Sequence, residues 1–296
     1  MKFSLILPTV GRVAEIQRFL ESLAAQDEQD FELIVIDQNP DDRLVAMLRD
    51  FSTRFQVNHI RLQKRGLSGA RNRGLAAARG DILGFPDDDC TYAPGLLRAA
   101  TEVLAHGRTA AGQPWDGVVG RVLDLDADQP AFLYCGQGSP GQLDVQAAYR
   151  LGVVHALFLR VDAVAGRRFD ETLGLGAGTR WGAGDDSDYL MRSVAAGNRI
   201  LHAPQLIVRH PNPHAARGFR DLISREYRYG RSNGLVTARH FGSTALRFEA
   251  LPNLWWVLVN LIIGRFKSAA YLAVYTFGFT LGHIDYLRSS ETAGIA

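Results

Sequence analysis

The chain has 296 residues, 47% of them hydrophobic and 22% charged, a balance that argues against a disordered tail protein and against a polytopic membrane protein. Lys+Arg 33 against Asp+Glu 31 leaves a formal charge of +2, so no surface is built throughout to coat nucleic acid and any partner preference must be local. Length allows one large domain or two ordinary ones. The cysteines, Cys90 and Cys135, show neither zinc-site nor disulfide spacing, so a reducing cytosol is the expected setting.

Phe3-Ser-Leu-Ile-Leu7 is an apolar run stopped by Pro8, too brief for the core of a signal peptide and read as a buried strand. Val13, Ile16, Phe19, Leu20 and Leu23 recur at helical spacing. Leu33-Ile-Val-Ile-Asp37 is a second unbroken run, as in a strand covered on both faces, and Val57 to Leu62 is a weaker strand candidate. Gly69 to Arg79 reads as a small-residue helix with Ser68 as N-cap and Gly80 as stop, followed by a strand at Asp81 to Phe85. Strand and helix alternate, which predicts right-handed βαβ units, a mostly parallel sheet with helices on both faces, and ligands at the carboxyl ends of the strands. Pro8-Thr9, Asp37 and Asp87-Asp88-Asp89 stand at three such ends.

Further strands are expected at Gly117 to Leu123 and Val153 to Leu159, then a glycine-rich stretch from Gly174 to Gly184. A helix follows from about Ser187 to Ala196, with Leu190, Met191 and Val194 inward and Gly197 closing it. From Arg209 to Ala250 arginines (Arg209, Arg217, Arg220, Arg225, Arg228, Arg231, Arg239, Arg247) outnumber carboxylates. Beyond lie two apolar stretches, Leu251 to Gly264 and Ser268 to Leu281. At 1.5 Å per residue each reaches only about 20 Å, short of the roughly 30 Å hydrocarbon core. The basic stretch and its tryptophans and tyrosines suit helices lying in a membrane interface, the alternative being simple packing on the preceding domain.

Two acidic clusters carry the chemistry. In Asp87-Asp88-Asp89 adjacent carboxylates repel, a cost that a bound divalent cation removes; a solvated turn is the alternative reading. Gly184-Asp-Asp-Ser-Asp188 sits at a helix start, where capping accounts for one or two aspartates but not three, and a carboxylate there could serve as general base if the fold brings it near the first cluster. Trp181 is either a stacking face for an acceptor ring or a packed loop residue. His155, His202, His214 and His240 have no defensible ligand spacing and are read as surface or satisfied core residues.

Over residues 1 to 212 the ordered series Leu5-Ile-Leu-Pro-Thr9, Leu33-Ile-Val-Ile-Asp37, Gly69-Ala-Arg-Asn-Arg-Gly74, Phe85-Pro-Asp-Asp-Asp89, Phe169-Asp-Glu171 and Gly184-Asp-Asp-Ser-Asp188 resembles the family-2 glycosyltransferases of the GT-A fold. The resemblance implies a Rossmann-like α/β catalytic domain over 1–212; the remainder, 213–296, is expected from its own composition to be a basic and apolar helical region attached to the membrane interface. The resemblance also implies an inverting, metal-dependent transfer from a nucleotide-diphosphate sugar to an acceptor hydroxyl in polysaccharide or glycolipid synthesis, at the cytoplasmic face of the cell membrane with a lipid-linked or polysaccharide acceptor. Pro8, Thr9, Asp37, Arg71, Asp87 and Asp88 would then contact the nucleotide sugar. Asp87, Asp89 and His210 would hold Mg²⁺ or Mn²⁺, Trp181 would meet the acceptor, and Asp186 would be the base, with Asp185 the other choice because it replaces the family's usual glutamate. Asp37-Gln38-Asn39-Pro40 departs from the Asp-Asp-Gly-Ser of many relatives, which leaves the nucleotide open. The competing reading is a non-catalytic nucleotide- or RNA-binding module that uses the arginine segment.

Overall fold

The computed structural model describes residues 1–131, 140–151, 153–212 and 218–293; Cys135, His214 and Arg217 lie outside them. In chain order the elements are β1 Phe3–Thr9, α1 Ala14–Ala24, β2 Phe31–Asp37, α2 Val45–Phe51, β3 Gln56–Arg61, α3 Leu67–Leu75, β4 Ile82–Gly84, β5 Thr91–Tyr92, α4 Leu96–His106 and β6 Gly117–Asp124. Then come β7 Gly141–Gln142, α5 Val145–Leu151, β8 Leu157–Arg160, α6 Val161–Val164, α7 Asp185–Ala195, β9 Ile200–His210, α8 Phe219–Phe241, α9 Leu251–Ile262 and α10 Phe266–Ala293.

The strands form one sheet in the order β3-β2-β1-β4-β8-β6-β9-β5, with β7 added on β9. β1 and β2 are buried at every position because both faces carry helices, as their unbroken apolar runs require. β3, β2, β1 and β4 are mutually parallel, as expected from the βαβ pattern. The second half departs from it: β8 enters reversed between β4 and β6, and only β6 and β9 are parallel there. Reversal at β8 brings the turn before it, Val154–Ala156, to the carboxyl end of β4, where the first acidic cluster lies.

Several local expectations are corrected by packing. Val13 is exposed ahead of the first turn of α1, whose buried face is Ile16, Phe19, Leu20 and Leu23. Ser68 does not cap α3; its hydroxyl donates to the Leu173 carbonyl at 2.8 Å and ties the helix to the glycine-rich stretch. α3 ends at Leu75, well before Gly80, whose lack of a side chain makes room for the Lys2–Phe3 backbone. Residues 154–156 form a 3₁₀ turn, so the strand expected from Val153 begins only at Leu157. α7 starts at Asp185, two residues before the expected Ser187, with Gly184 at φ +84° as its N-cap.

The C-terminal helices divide by environment. α8 contributes Leu235 and Val236 to the main core, so the chain after residue 212 begins as part of the same packed body. α10 lies along α8 at close range: a Cβ on Gly230, Gly234, Gly278 or Gly282 would run into the backbone of the facing helix. The stretch 268–281 is therefore a packed helix, with Thr276 and Phe279 buried. α9 has no buried residue at all. No helix among the described residues is long and apolar enough to cross a membrane.

Candidate active site

The two acidic clusters, far apart in sequence, meet on one arginine. Arg71 projects from α3 with no exposed side-chain surface. Its Nη1 donates to Asp185 Oδ2 at 2.8 Å and to Asp186 Oδ1 at 2.6 Å, and its Nη2 to Asp87 Oδ1 at 3.0 Å. The guanidinium also lies 5.2 Å from the ring centre of Phe169, which stacks on Tyr189 at 4.0 Å. Phe85 meets both rings edge-on and sets the start of the Asp87–Asp89 turn on the same aromatic floor. Asn72, next to Arg71, clamps α3 to the Phe169 backbone in both directions, accepting from its N–H at 2.8 Å and donating to its carbonyl at 3.0 Å.

A buried cation surrounded by carboxylates shifts every member of the set. Burial alone would lower the pKa of Arg71, but the charges of Asp186, Asp87 and Asp185 outweigh it, so the guanidinium is held charged. Burial, reinforced by the neighbouring charge of Asp186, pushes Asp185 up to about 7 despite Arg71. Burial also raises Asp87, but a hydrogen bond and charge from His155, with Arg71 and His210, hold its carboxyl below the usual range. Of the pair on α7, Asp186 has the more open carboxylate, its side chain 23% exposed against 7% for Asp185. The second oxygen of Asp186 accepts from the Val154 N–H at 3.3 Å.

On the β4 side Asp87, Asp89 and His210 place one ligand atom each within 4.8 Å of one another. His210 Nε2 stands 3.2 Å from Asp89 Oδ1, while its Nδ1 is 2.7 Å from the Pro211 carbonyl, which fixes the ring. Although burial lowers the pKa of His210, Asp89 and Asp87 raise it overall. Two carboxylate oxygens and an imidazole nitrogen suit a divalent cation of the Mg²⁺ or Mn²⁺ type with open positions for other ligands, and the donor set fits one.

Sequence reasoning missed two members. His155, read as uninvolved, sits on the turn before β8 with Nδ1 3.3 Å from Asp87 Oδ2 and its ring 5.2 Å from that of His210. The one signal was a histidine interrupting the apolar run Leu151 to Leu159. Arg12, beyond β1, pairs with Asp88 at 2.6 Å and with Asp89 at 2.5 Å, and nothing but its place after a strand end marked it. Asp88 is in addition bound by Thr9 Oγ1 at 2.7 Å; its carboxyl is pushed up to about 6 by burial, against Arg12 and Thr9.

Three expected nucleotide contacts take a different place in this conformation. Asp37 has no exposed surface: Oδ1 accepts from the N–H and Nδ2 of Asn39 at 2.9 and 2.8 Å, and Oδ2 lies 2.9 Å from His59 Nε2. These contacts hold its carboxylate at the end of β2. Arg71 is committed to carboxylates and joins the two clusters, and Asp88 faces Arg12 and Thr9. Pro8 and Thr9 are buried at the end of β1, as a floor residue would be. Trp181 is half-buried and packs against the main core, with Arg180 4.8 Å and Arg231 5.7 Å from its ring centre.

This arrangement is accompanied by a family match. The description "Glycosyl transferase family 2" matches residues 4–130, from β1 through the first acidic cluster and β6. Residues 4–130 are a glycosyl transferase family 2 domain. The glycosyltransferase domain has a 33% identical relative over 112 residues in the GalNAc(5)-diNAcBac-PP-undecaprenol beta-1,3-glucosyltransferase of Campylobacter jejuni, covering 36% of each chain. The Succinoglycan biosynthesis protein ExoM of Rhizobium meliloti is 26% identical over 232 residues, 76% of this chain and 71% of that one. Among solved structures, the mannosyltransferase PcManGT from Pyrobaculum calidifontis, in complex with GDP-Man and Mn²⁺, superposes with a TM-score of 0.63 at 16% identity, covering 97% of this chain and 87% of that one. That likeness shows the GT-A fold. The chain spans about a third of the length of the curated relatives that it matches at 33–36% identity.

Proposed function

We propose that the protein is an inverting glycosyltransferase that moves a sugar from a nucleoside-diphosphate donor to an acceptor hydroxyl in polysaccharide or glycolipid synthesis. The observation that carries this reading is the convergence of Asp87, Asp89 and His210 with Asp186 around Arg71. Asp87, Asp89 and His210 would hold Mg²⁺ or Mn²⁺, which when bound neutralises the donor diphosphate and makes it a stable leaving group. Asp186 accepts the proton of the acceptor hydroxyl while the hydroxyl oxygen bonds to the anomeric carbon and the nucleoside diphosphate departs. One displacement by one base inverts that carbon, and no protonated acid is needed for so stable a leaving group. Arg71 keeps Asp186 oriented, Asp185 braces the same guanidinium, and Trp181 would meet the acceptor.

Relatives named for work on a PP-undecaprenol substrate and for succinoglycan biosynthesis support a lipid-linked or polysaccharide acceptor. Attachment to the inner face of the cell membrane is assigned to α9, whose Leu254, Trp255, Trp256, Leu258 and Ile262 are exposed between Arg247 and Arg265–Lys267. The RNA-binding alternative is less well supported, because three of the α8 arginines are paired with carboxylates: Arg225 with Glu226, Arg231 with Asp285, Arg239 with Asp170. The test is release of nucleoside diphosphate from a panel of UDP- and GDP-sugars with Mg²⁺ or Mn²⁺ and with EDTA. Release that requires the cation is expected; no release from any donor, or release indifferent to EDTA, contradicts the reading.

A further inference from the structure

Between the glycine-rich stretch and α8 lies a cavity of about 450 Å³ that the proposed chemistry does not use. Its walls are Gly174 to Arg180 and Gly182 on one side and Tyr227, Arg228 and Arg231 of α8 on the other. The charge there is one-sided. Arg231 donates to Asp285 Oδ2 through Nε at 3.0 Å and Nη2 at 2.7 Å, and Arg180 Nη1 is 3.7 Å from the other oxygen of the same Asp285. Arg228 is exposed and has no carboxylate partner among the described residues; its Nε reaches only the Ser224 carbonyl, at 3.3 Å. Two of the three guanidinium groups thus share the one carboxylate, Asp285, and the third, that of Arg228, adds a further positive charge. Arg180 and Arg231 are held together despite like charge because the Trp181 ring takes both on its π system.

The cavity's wall is also the wall of the catalytic centre. A Cβ on Gly174 would come within 2.8 Å of Asp185 Cγ, so no side chain separates the two. Leu175 O accepts from the Leu67 N–H at 2.9 Å, which fastens the same stretch to the start of α3 and hence to Arg71. Asp87, Asp89 and His210 come from the turn after β4 and the end of β9, whereas the cavity is lined by the glycine-rich stretch and α8, and none of the three lines it. A donor diphosphate on the cation leaves the arginine cavity to the other substrate.

We propose that this cavity binds an oxyanion of the acceptor, a diphosphate or a uronate carboxylate, and so selects acidic acceptors. The assignment to the acceptor rests on the glycosyl-transfer reading above; the anion site itself does not. Guanidinium forks match both oxyanions, and each charge-assisted contact contributes substantially to affinity where the groups are partly desolvated.

The experiment titrates the full-length protein with inorganic pyrophosphate and, separately, with glucuronate. EDTA is present so that no cation carries pyrophosphate to the aspartates. The signal is the Trp181 fluorescence, taken as the difference between the wild type and Trp181→Phe. Saturable binding is expected, weakened at least tenfold in Arg180→Gln/Arg228→Gln; both side chains are exposed, and Arg228→Gln alone serves if the pair impairs folding. The anion that binds more tightly names the source, a diphosphate-linked or a uronic-acid acceptor. Absence of saturable binding by either anion, or unchanged constants in the variants, overturns the proposal. A parallel titration with UDP and GDP plus Mn²⁺ reports on the donor side: its failure would sink the glycosyl-transfer reading and leave the anion site standing, and the reverse holds as well.

Discussion

Arg71 is the residue on which most depends, because it is a buried cation whose three carboxylate partners come from two distant parts of the chain. Replacing it by Met leaves those carboxylates facing one another without compensation, so a loss of about 3–5 kcal/mol of stability is expected, read as a lower midpoint in urea; a midpoint within error of wild type would refute the account of Arg71. His210 gives a second prediction. Its raised pKa keeps a proton on the imidazole paired with Asp89, and a cation must displace that proton. Mn²⁺ affinity should therefore rise with pH from about 6 to about 8, with proton release on binding, and His210→Ala should flatten that dependence; calorimetry in two buffers measures both. The residues legible in advance were those that end a strand or open a helix. His155 and Arg12 were not, because each enters the site through tertiary placement: one through the reversed strand β8, the other through a loop that folds over Asp88 and Asp89.

At the scale of elements, the apolar stretches 251–264 and 268–281 looked alike by composition, yet one is exposed and the other packed. The difference lies in small residues: Gly278 and Gly282 of α10 lie against the backbone of Tyr227 and Arg231, and Gly230 and Gly234 of α8 against that of Tyr275 and Phe279, which lets the backbones touch. Gly234→Leu should cost about 1–3 kcal/mol by overpacking and detach α10, seen as a lower melting temperature and faster proteolysis near the C-terminus; an unaltered melting curve would contradict the packing described. Trp255→Ser/Trp256→Ser should leave stability within about 0.5 kcal/mol, since α9 buries nothing, and should reduce sedimentation with vesicles containing phosphatidylglycerol. Equal sedimentation of variant and wild type would remove α9 as the membrane contact. β1, β2 and β4 were legible because parallel strands covered on both faces read as apolar runs, and β3, an edge strand with no buried residue, gave the weaker signal; β8 was legible as a strand but its reversed place was not, since antiparallel insertion is fixed by distant partners and leaves no local signal.

For the whole molecule, the site sets a pH dependence of stability when no divalent cation is present. Asp185 and Asp88, with pKa values pushed up to about 7 and about 6, hold protons in the folded state that an unfolded chain releases near pH 4. Their contribution is complete below the unfolded values and is lost as pH rises through the folded ones. Asp87 and Asp89, held low, contribute above about pH 4 and fail only in stronger acid. The melting temperature in EDTA should thus fall between about pH 5 and about pH 8, and a rise over that window would contradict these assignments. The order of the motifs made the N-terminal fold and the convergence of the acidic clusters foreseeable; what each side chain touches was not, since Asp37 and Arg71 turn out to bind protein groups. The central claim is that Asp186 performs the proton transfer beside a cation held by Asp87, Asp89 and His210. It is tested most directly by turnover of Asp186→Asn at saturating donor, with Mn²⁺ binding measured on the same sample. The account predicts Mn²⁺ affinity like that of wild type and nucleoside-diphosphate release slower by about 10²–10⁴-fold; release at the wild-type rate would contradict it.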